Sequence, residues 1–120
     1  MRRRFARFGA AVAVMAACVL SVAPAQAAEP TVKGRVDIVY HGCDATGCKV
    51  LRHVKLTDPA KKCYPLEKEP AGTDFVEWTN DTPVYLALTT DAKCENLDTA
   101  LHDHSAITVG AKRFNSFFVG

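Results

Sequence analysis

Residues 28–120 are expected to fold as an all-β sandwich held by two disulfides. Three observations lead there. Apolar and polar residues alternate along most of the segment, the period-two signature of half-buried strands. Clusters of Gly, Pro, Asn and Asp separate those runs at short intervals. The segment also carries four cysteines, Cys43, Cys48, Cys63 and Cys94, an even number in a short chain. No linker divides it, so one domain is expected.

The elements follow in order. In TVKGRVDIVY, residues 31–40, Val32, Gly34, Val36, Ile38 and Tyr40 share one face, with Lys33, Arg35 and Asp37 on the other. The link HGCDATGC leads into KVLRHVKL, where Val50, Val54 and Leu56 alternate and Arg52 interrupts. Two strands around a short Gly-containing link predict a hairpin. TDPAKKCYPLEKEPAGTD, residues 57–74, holds three prolines and most of the local charge, and reads as an exposed connection. DFVEWT and PVYLALTT are strand-like and flank the turn-prone Asn80-Asp81-Thr82-Pro83. KCENLDTALHDHS is ambiguous, because Leu97, Ala100 and Leu101 also suit one helical turn. ITVGAKRFNSFFVG predicts two closing strands around Gly110, with Phe114, Ser116 and Phe118 on one face and Asn115, Phe117 and Val119 on the other.

The N-terminus sets the compartment. Arg2, Arg3, Arg4 and Arg7 precede an apolar run from Ala10 to Val22, and Ala25-Gln26-Ala27 supplies small residues for a signal peptidase. Residues 1–27 are therefore expected to be a secretory signal, and the product to be secreted and extracellular. A membrane anchor would need about 20 apolar residues, and Pro24 and Gln26 cut the run short. Arg2-Arg3-Arg4-Phe5 also resembles a twin-arginine signal. Met15-Ala16-Ala17-Cys18 resembles a lipoprotein box with a poor leading residue. Removing four arginines turns the net charge of +2 into −2. No basic patch then remains to predict nucleic-acid binding, and no membrane association is expected after processing.

A family resemblance rests on a few residues. In VYHGCDATG, an aromatic, Tyr40, stands seven positions before Gly47. This resembles the start of a βγ-crystallin Greek key, where the aromatic packs over a folded hairpin and the glycine permits its turn. The second half resembles a degenerate copy, with Leu88 in place of the aromatic and Glu95 in place of the glycine. Ser116 falls where that family has a serine that ties down the hairpin. The resemblance implies a small Greek-key β-sandwich. The family's calcium signature is missing, since Asn80-Asp81 is followed by Thr82-Pro83-Val84-Tyr85. Secreted bacterial proteins of this group include small two-disulfide metalloprotease inhibitors.

The chemistry-bearing residues each have a plainer reading. Cys43 and Cys48 fit a first zinc knuckle, but Cys63 and Cys94 are 31 positions apart and make no second one. A redox pair needs Cys-x-x-Cys at a helix start. Staples are therefore expected, Cys43–Cys48 across the hairpin and Cys63–Cys94 over the longer span. His102 and His104 would point to one side of a strand, but in a polar loop they are solvent-facing residues first. His41 and His53 could add ligands only from elsewhere. Ser105 and Ser116 lie in no Gly-x-Ser-x-Gly elbow. Glu67 and Glu69 sit in a charged loop without the cleft that would separate paired carboxylate pKa values. Trp78, Phe114, Phe117 and Phe118 fit a core better than a platform. No enzyme activity, cofactor or metal is expected.

What remains is surface shape. Cys63 anchors the middle of the 57–74 segment, and Pro59, Pro65 and Pro70 restrict its backbone. Lys61, Lys62, Tyr64 and Leu66 are the expected displayed side chains. The expected function is a secreted, monomeric protein-binding module whose partner is a secreted protease or another extracellular protein. The alternative is a toxin-like or cell-surface-interacting Greek-key protein without protease inhibition.

Overall fold

The alternating runs become eight strands in the computed structural model, which describes residues 29–120. These are β1 (Arg35–Asp44), β2 (Gly47–Thr57), β3 (Cys63–Pro65), β4 (Phe75–Asp81), β5 (Leu86–Thr89), β6 (Leu97–Leu101), β7 (Ser105–Gly110) and β8 (Ser116–Val119). The expected signal, residues 1–27, lies outside the described residues. Two antiparallel sheets form, in the orders β2-β1-β4-β7 and β3-β8-β5-β6. They pack as a sandwich around one core. Val36, Ile38, Tyr40, Val76 and Trp78 come from the first sheet, and Leu86, Leu88, Leu101, Phe117 and Val119 from the second. Trp78 is its largest member and meets Phe114 and Phe117 edge to face, at 5.9 and 5.4 Å. Edge contacts of that kind suit the ring quadrupoles.

The two halves of the chain are exchanged in a regular way. Adding four to β1, β2 and β4 gives β5, β6 and β8, while β3 and β7 each complete the other half's sheet. One hydrogen bond recurs at the entry to each fourth strand. Asp74 N donates to His41 O at 2.7 Å, and Asn115 N donates to Thr89 O at 2.9 Å.

The first hairpin departs from simple alternation. Cys43 and Cys48 face each other directly across it and are bonded, with Cα atoms 3.9 Å apart. Tyr40 pairs with Arg52 and His41 with Val50, so Leu51 is an extra residue in β2. Such a bulge reverses which side chains face inward. Leu51 packs on the core, and Val50, expected to lie inward, is 55% exposed. Gly34 does not share a strand face with Val36. It has φ +124°, and a Cβ there would stand 2.0 Å from Asp81 O. The chain turns at Gly34 because only glycine tolerates both conditions.

The ambiguous segment 93–105 contains a strand and no helical turn. Leu101 is buried, whereas Leu97 is 62% exposed. Asp91 organises the preceding turn, accepting hydrogen bonds from the backbone of Lys93, Glu95 and Asn96. Those bonds, led by the one from Asn96, hold its carboxyl below the ordinary range. In the last strand Phe117 and Val119 are buried and Phe118 points outward. Ser116 is fully buried under the second hairpin. Its Oγ donates to Asp91 O, accepts from Cys94 N at 3.1 Å and contacts Thr89 Oγ1. Cys94 takes the positive φ of that hairpin, at 60°.

Candidate functional site

Residues 57–74 are more ordered than a proline-rich connection predicts, because nearly every stretch of their backbone finds a partner. Asp58 N donates to Gly34 O at 2.7 Å, and its carboxylate accepts from Gly34 N. Pro59 O accepts from Val32 N, and Lys61 N donates to Pro30 O at 2.8 Å. Cys63, Tyr64 and Pro65 pair with Phe118, Phe117 and Ser116, which makes β3 an edge strand of the second sheet. Cys63 is bonded to Cys94.

Beyond β3 the chain crosses from the second sheet to the first as a strap. Leu66 N donates to Asn115 O at 2.9 Å. Arg52 Nη1 donates to Lys68 O at 3.0 Å, with its guanidinium 5.7 Å above the Tyr40 ring. Arg52, the residue that interrupts the β2 pattern, is thus the strap's anchor on that side. On the other side, the Glu69 carboxylate accepts from Lys112 N at 2.9 Å. The strap ends where Asp74 Oδ2 accepts from Cys43 N at 2.6 Å.

The four displayed residues expected from the sequence divide into two pairs. Lys61 and Lys62 are exposed. Lys62 Nζ lies 3.6 Å from Glu29 and 5.2 Å over the Tyr64 ring. Tyr64 and Leu66 are half-buried and pack against the core. The Tyr64 ring stacks on Phe117 at 5.1 Å, and its hydroxyl accepts from Ala60 N at 2.9 Å. Glu67 and Lys68 are exposed beside them. The sequence shows their charge, and the strap's path leaves both side chains exposed.

The histidines are dispersed. His41 bonds Glu77 at 2.8 Å, His53 bonds Asp37 at 2.9 Å and His104 bonds Asp81 at 3.0 Å. Burial pushes the Asp37 carboxyl up, but the bonds from His53 and Arg35 outweigh it and hold it below its ordinary value. Among the described residues no three His, Cys, Asp or Glu side chains converge on one point. Ser116 serves the hairpin, and Ser105 Oγ donates to Asp103 O. All four described cysteines are in disulfides. No described helix is long and apolar enough to cross a membrane. No family model, curated protein or solved structure matches the chain.

Proposed function

We propose that the chain is a secreted, non-enzymatic protein-binding module of βγ-crystallin type, and that residues 57–74 present its contact surface to an extracellular protein, a protease in the sharpest form of the reading. The supporting observation is the anchored backbone of that segment. Disulfide, sheet pairing and side-chain bonds hold it at intervals from Asp58 to Asp74, while Lys61, Lys62, Glu67 and Lys68 project from it. A surface ordered before it meets its partner avoids much of the ordering cost of binding. A protease can also bind such a segment without opening it. The Greek-key part of the reading draws support from the strand order, in which β4 returns beside β1 and β8 beside β5. Three local features also support it: Tyr40 is buried, Gly47 has a positive φ of +134°, and Ser116 Oγ accepts from Cys94 N in the second hairpin.

A panel of serine, cysteine and metallo-proteases tests the reading. Lys61→Ala and Lys62→Ala should weaken inhibition and leave the melting temperature nearly unchanged, as at most exposed sites. Tyr64→Ala should lower both, since its ring and hydroxyl are built into the fold. If the wild type inhibits no protease and captures no extracellular protein, the reading fails and the toxin-like or cell-surface alternative takes its place.

A further inference from the structure

The strap at residues 66–69 leaves an opening on each side of it. One, of about 330 Å³, lies toward the 110–115 turn and is walled by Leu66, Val76, Trp78, Val109 and Phe114. The other, of about 220 Å³, lies toward β2 and contains Arg52. Tyr40, Leu66 and Glu67 line both. Tyr40 is only 4% exposed, yet among the described residues its hydroxyl has no hydrogen-bond partner. Buried phenols ordinarily find one.

The charges that reach this hydroxyl are few. Burial and then Glu69 push its pKa up, Glu67 adds to the rise, and Arg52 pulls the other way. Arg52 already holds Lys68 O, and Glu69 already accepts from Lys112 N. Glu67 has no hydrogen-bond or ion-pair partner among the described residues and stands exposed at the rim. Three cations share the larger opening. Arg113 is paired with Asp98 at 2.7 Å, and Lys68 and Lys112 are exposed, with long side chains that can extend into solvent. The cleft therefore offers two oxygens that can accept, the Tyr40 hydroxyl within it and the Glu67 carboxylate at its rim, beside apolar walls.

We propose that this cleft binds a primary ammonium carried on an unbranched apolar stem, with the stem against Leu66, Val76, Val109 and Phe114 and the ammonium donating to Tyr40 and Glu67. An ammonium has three donors and no acceptor, which suits the acceptor side of the Tyr40 hydroxyl and the Glu67 carboxylate. The volume is at the lower end for ligand pockets and fits one such chain. A free alkylamine and the lysine side chain of a partner protein share this chemistry. The site shares Glu67 with the 57–74 surface but does not depend on Lys61 or Lys62.

Trp78, the only tryptophan in the chain, lines the cleft and reports on it by fluorescence. The protein is titrated at low salt with n-pentylamine against 1-pentanol, and with N-acetyl-lysine methylamide against its norleucine counterpart. Saturable binding of the amines is expected. Each neutral analogue should bind about tenfold more weakly, as for loss of one hydrogen bond to a charged group. Glu67→Gln and Tyr40→Phe should weaken amine binding by the same order. Tyr40→Phe should melt no lower than wild type, because no protein hydrogen bond is lost. Tighter binding of the lysine derivative than of pentylamine assigns the site to a partner's side chain, and the reverse order assigns it to a free amine. Equal binding of the amine and its neutral analogue overturns the proposal. So does wild-type affinity in Glu67→Gln, whose exposed side chain leaves the fold intact if Tyr40→Phe does not.

Discussion

Asn80→Asp tests whether one buried amide ties the end of β4 to the β4–β5 and β6–β7 connections. Asn80 is fully buried at the end of β4. Its Nδ2 lies 2.8 Å from Val84 O, 2.9 Å from His102 O and 3.2 Å from Leu101 O, so it joins the 82–84 turn to the β6–β7 turn. Its Oδ1 accepts from Thr82 Oγ1 at 2.6 Å and from Thr82 N at 3.2 Å. Aspartate keeps the shape and the Oδ1 bonds but turns an oxygen toward three carbonyls. A protonated carboxyl regains one donor, so about one net hydrogen bond is lost, roughly 1–1.5 kcal/mol. An ionised one has no donor and is buried, which raises its folded pKa well above the usual value of about 3.9. Each unit of that rise costs about 1.4 kcal/mol at neutral pH, so two to three units bring the total to about 4–6 kcal/mol. That is a large share of the 5–15 kcal/mol typical of a domain.

The pH dependence follows from the sign of the shift. The folded variant binds its proton more tightly than the unfolded chain, so its stability relative to wild type is highest below the unfolded pKa and falls as pH rises. Urea unfolding followed by Trp78 fluorescence at pH 4 and pH 7 should show the gap from wild type widening at pH 7. Asn80→Ala, which cannot titrate, should keep a nearly constant gap. An Asp variant as stable as wild type at pH 7, or a gap that does not change with pH, would refute the reasoning.

Other outcomes are expected elsewhere. Replacing Cys63 and Cys94 together by Ser opens a bridge across 31 positions and should cost about 3–4 kcal/mol by loop entropy. Chemical denaturation should register that loss together with weaker partner binding, and partner binding unchanged despite it would place the contact surface away from β3. Gly34→Ala forces a Cβ against Asp81 O at a positive φ and should cost about 3 kcal/mol or more; a melting temperature equal to wild type would contradict the geometry at that turn. Asp37 has a lowered folded pKa, so its contribution is present above the unfolded value and lost as pH falls through the folded one. The stability gap between wild type and Asp37→Asn should therefore close in acid, and an acid titration of the two measures it.

The fold class was legible because strand alternation is a local property. Whether Val36, Ile38, Val76 or Trp78 faces inward depends on parity along its own strand, and four cysteines in the short segment 28–120 announce covalent support. Phase was less secure where a bulge intervened. Nothing local to KVLRHVKL marks Leu51 as the extra residue, since the bulge exists only relative to the paired β1. The same holds for Leu97, Ala100 and Leu101, whose spacing fits a helical turn until β5 offers them a partner.

Of the candidate surface, the sequence alone determined the residue types: prolines, lysines and a cysteine within residues 57–74. Tertiary structure decided which of them face out. Lys61 and Lys62 project because β3 turns Tyr64 onto Phe117, and a residue's orientation on an edge strand is set by the neighbour it pairs with. The cleft beneath the strap was illegible for the same reason. Tyr40, Glu67, Trp78 and Phe114 are far apart along the chain and meet only because the strap crosses between two sheets. Alternation reports which side of a strand is buried, but it carries no information about what is packed against it.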